Sequence, residues 1–272
     1  MKRLLAAVLV SLAMAGAAHA IDAATQAKLD EAVRLGREIN DHDQSAWHVT
    51  DALMAVKKTA PTQPIAFITE RTDPTHVKTI FFVKMGEVWR TYFTGVTEGS
   101  IITSTENFID DVQSAPATPE QLKQITAQLG LQEAFNRQLC GKPINTVVIP
   151  AADEPGALDV YALASETQTN VIQFGGHVKV RVGADGKPTG AMKGFSNSCI
   201  ALPKSSGEKM PEGYKEIAIG ITLPPAFGDT PTEIHVFKSL SHKVMLMVMA
   251  GEKTWSVDGD KITLSNIKPA VQ

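Results

Sequence analysis

Two cysteines and seven histidines are the residues of this chain with the widest chemical range. An even cysteine count in an exported protein favours a Cys140–Cys199 disulfide. Left unpaired, Cys199 could act as a thiolate nucleophile, which needs a nearby base that lowers its pKa. His177 opens the alternation His177, Lys179, Arg181. On one face of a strand these make a small cationic stripe, suited to an anionic ligand such as a carboxylate or phosphate. The same pattern describes the wet side of an antiparallel sheet. Glu233, His235 and His242 form the last group. If Ile234–Phe237 is a strand, Glu233 and His235 share a face, and carboxylate with imidazole is a general acid/base pair. Asp41, Gln44, His48 and Asp51 share a helical face and are metal-ligand types. With one histidine and no H-E-x-x-H spacing they read as a solvated face, so neither metal nor cofactor is expected.

Ser196-Asn197-Ser198-Cys199-Ile200-Ala201-Leu202 is similar to the S-H-G-C-I-R-L segment of the L,D-transpeptidases, exported enzymes that cross-link peptidoglycan through a Cys thiolate. That family has an H-G-T histidine upstream, where this chain has His177. The resemblance implies Cys/His acyl transfer. The chain departs from the pattern at Asn197, Ser198 and Ala201, and His177 is followed by Val178-Lys179. Three longer segments together resemble exported bacterial proteins of uncharacterised function: 43–53, Val171–Val182 leading to Ser198-Cys199, and 231–237. This second resemblance implies export and carries no mechanism.

The elements that must position these groups follow from patterning. Lys2-Arg3, the apolar run from Leu4 to Ala18 and Ala18-His19-Ala20 form a secretory signal, with cleavage between Ala20 and Ile21. A periplasmic or secreted location follows, with no transmembrane segment after cleavage. Residues 22–40 read as a helix, interrupted at Asp41-His42-Asp43 and followed by a second one through Val56. Ile65–Glu70, Val77–Lys84 and Val88–Phe93 read as a meander; Ile80-Phe81-Phe82-Val83 is apolar on both faces and needs cover on each side. Thr118-Pro119-Glu120-Gln121 opens a helix with a capping box, with Leu122, Ile125, Leu129 and Phe135 inward and a stop at 140–143. Later strands are expected at 146–149, 158–164, 171–182, 192–202, 217–223, 244–250 and 254–257. Period two over Val171–Val182 makes that segment one half-buried strand, unless Gly175-Gly176 holds a bulge.

The expected fold is α+β: N-terminal helices and one central helix with a mainly antiparallel sheet, in a single exported domain over 21–272, with a possible division near 115–118. A 43% hydrophobic share and a net charge of −3 exclude disorder and argue against a nucleic-acid partner. G-x-S-x-G, G-x-G-x-x-G and Walker patterns are lacking. The leading expectation is non-catalytic binding of a small anionic ligand or a cell-envelope partner. The alternatives are the Cys/His transferase and a hydrolase with dispersed residues.

Overall fold

The computed structural model describes residues 21–57, 62–108, 114–138, 140, 144–166, 168–204 and 218–265. The expected signal segment through Ala20, the stop at 141–143 and the side chain of Phe135 lie outside the described residues.

One helix, α1 (Ala23–Val56), replaces the two expected. Asp22 caps it, accepting from Thr25 N–H at 2.8 Å. Its buried stripe runs through Leu29, Ala32, Leu35, Gly36, Ile39, His42, Ala46, Val49 and Leu53. Asp41-His42-Asp43 fails to interrupt the helix because His42 falls on that stripe. Its ring is satisfied inside, by Thr69 Oγ1 at 2.7 Å and Glu38 at 3.4 Å. At about 1.5 Å per residue the helix is about 50 Å long, enough to touch several sheets.

The meander β1 (Ile65–Arg71), β2 (His76–Met85), β3 (Val88–Glu98), β4 (Ile101–Asn107) is antiparallel throughout. The two-sided apolar run of β2 is covered as expected. Phe81 and Val83 meet Val49 and Leu53 of α1, while Ile80 and Phe82 meet Ile125 of α2 (Pro119–Gln138). The α2 capping box is present, with Gln121 N–H donating to Thr118 Oγ1 and Thr118 N–H to Gln121 Oε1. Its inward face differs from expectation. Ile125, Ala127 and Leu131 are buried, whereas Leu122 and Leu129 are exposed.

A second antiparallel sheet follows the order β5 (Ile144–Pro150), β6 (Leu158–Ala164), β8 (Val178–Val182), β9 (Lys193–Gly194). Every residue of β6 is buried, between α2 on one side and α1 with α3 (Glu233–His242) on the other. β7 (Val171–Gln173) pairs instead with β10 (Ala201–Pro203). The single strand expected over 171–182 is therefore two strands in two sheets. The break falls at Gly175-Gly176, where Gly176 adopts φ +85° and a Cβ would stand 2.5 Å from Cys140 Sγ. The expected return strand 192–202 is likewise split, β9 joining β8 and β10 joining β7; Cys199 lies in the loop between them.

The last sheet runs β11 (Ile219–Leu223), β12 (Met245–Ala250), β13 (Lys253–Asp258), β14 (Lys261–Leu264). β11 and β12 are parallel and the rest antiparallel. The parallel pair requires a crossover, which α3 supplies. Thr232-Glu233 thus starts a helix. Its capping box uses the side chain of His235 as the reciprocal partner. The α1–α3 crossing is close because Gly36 lies there: a Cβ on it would stand 2.5 Å from Val236 Cβ. The fold is α+β with mostly antiparallel sheets. No helix among the described residues is long and apolar enough to cross a membrane.

Candidate functional site

The residues favoured from sequence go to four separate places. Cys140 and Cys199 stand at disulfide distance, with sulfurs 1.95 Å and Cα atoms 5.3 Å apart. His177 is 1% exposed and stands just before β8 begins at Val178, next to Gly176 with its φ of +85°, so it does not share the polar face of Lys179 and Arg181. Its Nδ1 accepts from Ala164 N–H at 3.1 Å, so Nε2 carries the proton and donates to Gln173 O at 2.8 Å. Both nitrogens are spent on backbone. Burial first, then the nearby Lys238 charge, pushes this imidazole down to about 3. His177 and Cys199 are thus not arranged as base and nucleophile.

Lys179 and Arg181 do share a face of β8, but they are not a free cationic stripe. Asp159 on β6 is the cross-strand partner of Arg181. It receives Arg181 Nε at 2.6 Å and Lys179 Nζ at 2.8 Å, and Arg181 also reaches Asp153 at 2.9 Å. Against the cost of its own burial, Arg181 and Lys179 hold the Asp159 carboxyl below its ordinary value. Glu233 is buried at the start of α3, with Tyr161 Oη donating at 3.4 Å. His235 is consumed by the cap, accepting from Thr232 N–H through Nδ1, and burial pushes it down to about 4. The helix thus separates the acid/base pair that a strand would have aligned.

A wide cleft of about 990 Å³ between α1 and the β13–β14 end is lined by three arginines that are all paired. Arg34 holds Glu31, Arg37 holds Asp260, and Arg71 holds Glu38 and Asp41. Against the cost of burial, bonds from His42 and Arg71 keep Glu38 down at about 2. These charges are already balanced by the chain itself.

A smaller cavity of about 320 Å³ lies beside the α1–α3 crossing. From α1 come Asp43 and Trp47, one turn apart; from α3, Lys238, Ser241 and His242; from β5, Asn145; and from the end of β6, Ser165 and Glu166. Leu163 and Phe237 form its apolar floor. Asn145 donates to Asp43 at 2.9 Å, and His242 Nε2 stands 2.6 Å from Glu166. Burial, then Lys238 and Lys204, push His242 down to about 4, so the neutral ring donates to the carboxylate. Desolvation raises Asp43 despite the Asn145 bond and the Lys238 charge.

Lys238 is the anomaly of this site. It is 5% exposed, yet among the described residues no hydrogen-bond acceptor meets its Nζ and no carboxylate lies within 4 Å. It stands over the Phe237 ring, 4.8 Å to the centroid. Burial pulls its pKa down, while Glu166 and Asp43 pull it up from a distance. Burial disfavours the charged form of this lysine, which marks it as a candidate ligand contact in the cavity it lines. His177 supports the site from behind through Ala164, the residue at the cavity wall where β6 ends. Lys238 was missed in the sequence because a lone lysine in Val236-Phe237-Lys238-Ser239 carries no motif. Its burial comes from α1 and β6 packing on α3. His242 was noted with Glu233 and His235, whereas Asp43 was noted as part of the expected helix interruption at Asp41-His42-Asp43. No metal-holding group of three His, Cys, Asp or Glu occurs among the described residues. Compared with known proteins, the chain matches no family model, and no curated protein or solved structure matches it significantly.

Proposed function

We propose that this chain is an exported, non-catalytic binding protein and that its ligand is a small anion held by Lys238 in the cavity beside the α1–α3 crossing. The observation that carries the reading is Lys238, 5% exposed and without an ion pair to any of the described residues, in a cavity lined mainly by polar groups. A ligand carboxylate or phosphate would add a close counter-charge to the more distant Asp43 and Glu166, with hydrogen bonds strengthened by that charge. The anion belongs here and not on Lys179 and Arg181, whose charges Asp159 already meets. A Cys199/His177 acyl transferase is disfavoured, since both partners are engaged elsewhere. Export is supported by the signal pattern before Ile21 and by the cysteine pair at disulfide distance. Ile21 itself packs against the C-terminal core, immediately before the α1 cap.

Calorimetric titration of the chain from Ile21 onward with acetate, succinate and phosphate tests the binding reading. At least one anion should bind wild type with one site, and Lys238→Met should abolish it. Equal binding by the variant, or none by wild type, would dismiss the reading. Amino-terminal sequencing of periplasmic protein should begin at Ile21; a protein retained with Met1–Ala20 in the cytoplasm would contradict export.

A further inference from the structure

We infer that the ligand of the Lys238 cavity is a monosaccharide acid, one sugar ring bearing a carboxylate; this rests on the binding function proposed above. Trp47 lines the cavity and is 54% exposed. It is nevertheless held in place, stacked on His48 with ring centroids 4.8 Å apart and planes 21° apart. His48 covers one indole face, and the rest of the exposed ring borders the cavity. A large exposed aromatic at the edge of a polar cavity calls for a ligand with a flat apolar face.

The opposite requirement comes from the walls. Asp43 and Asn145 bond each other at 2.9 Å, which uses one oxygen and one amide proton and leaves the rest for a ligand. Ser165 and Ser241 add hydroxyl groups around the same space. A pyranose satisfies both demands, with C–H bonds on its face and hydroxyls around its edge. A simple carboxylate would use Lys238 and neglect Trp47. An aromatic acid would use Trp47 and leave the wall groups unmet. At about 320 Å³ the cavity is at the lower end of ligand-pocket sizes, about 300–1,000 Å³, and suits one ring better than a chain. The acid group goes to Lys238, the ring face to Trp47 and the hydroxyls to Asp43, Asn145 and the serines.

The test is a titration of glucuronate, galacturonate and N-acetylneuraminate beside acetate, benzoate and glucose, on wild type, Trp47→Ala and Lys238→Met. At least one sugar acid should bind wild type about tenfold tighter than acetate, a gain of about one aromatic contact. Trp47→Ala should remove that advantage and leave acetate unchanged. Lys238→Met should weaken the sugar acid about a hundredfold, and glucose should bind no better than it does to that variant. If acetate equals every sugar acid, or benzoate exceeds them, the sugar inference is overturned while anion binding stands. If no acid binds wild type, both fall. Trp47 is largely exposed, so Trp47→Ala is expected to fold; Trp47→Phe, which keeps a flat ring, should retain most of the advantage. Loss of the advantage in Trp47→Phe with an unchanged circular dichroism spectrum would also count against stacking.

Discussion

The buried His177 and His235 and the partly buried His242 are held well below the ordinary imidazole value of about 6.5, at about 3, 4 and 4. Each binds fewer protons in the folded than in the unfolded chain between those limits. Stability from these groups is complete above about pH 6.5 and is lost as pH falls toward 4 and 3. The ceiling for one fully differential proton is about 1.4 kcal/mol per pH unit, so acidification from pH 7 to 5 should cost a few kcal/mol in total. Urea unfolding at intervals across that range measures it. His242→Gln, which keeps a donor for Glu166, should make the dependence shallower; a flat profile in wild type would contradict the buried, neutral assignments. Glu38 and Asp159 add their own losses only at lower pH.

Gly36 sets the approach of α1 to α3, and with it the cavity. A methyl group there meets Val236 Cβ at 2.5 Å and Glu233 O at 2.8 Å. Gly36→Ala should therefore destabilise by about 1–3 kcal/mol despite its better helix propensity, as overpacking does. Gly130→Ala on α2, with no atom within 4 Å of the new methyl, should be neutral or stabilising. Equal effects of the two by thermal unfolding would contradict the crossing. The cysteine pair ties the end of α2 to the loop before β10 across 59 residues. If oxidised, its removal by Cys140→Ser with Cys199→Ser should cost about 4 kcal/mol on the chain-entropy view. Mass spectrometry before and after reduction should show a gain of two hydrogens; no gain would exclude the bond.

Elements with a strong local signal were legible in the sequence. The α2 capping box and the two-sided burial of β2 follow from residue type and period. β4 was missed because its seven residues are all exposed and leave no alternation. The 171–182 segment kept a perfect period of two while its two glycines moved half of it into another sheet. The same reason hid the site. Lys238 is unusual only once α1 and β6 enclose it, whereas His177 stands out in the sequence and serves the backbone.

α1 joins the molecule together. It packs on α3 and on β1, β2, β3 and β5, so the N-terminal meander and the later sheets share one helix. A cooperative unit is expected over the whole described chain. Trp89 packs against the meander core and Trp255 is buried in the last sheet, so each can be kept alone as a fluorescence probe. Coincident urea transitions at the two tryptophans are predicted; separated midpoints would show that the meander unfolds on its own. Most directly, the account predicts that Lys238 is kept at a cost to stability for the sake of an anion. Urea unfolding of wild type and Lys238→Met, without and with saturating anion, measures this. Without anion the variant should be more stable by about 1–3 kcal/mol, since a lysine whose charge burial disfavours is replaced by an apolar side chain of similar length. With anion, only wild type should gain stability. A variant that is less stable than wild type and gains equally from the anion would contradict the account.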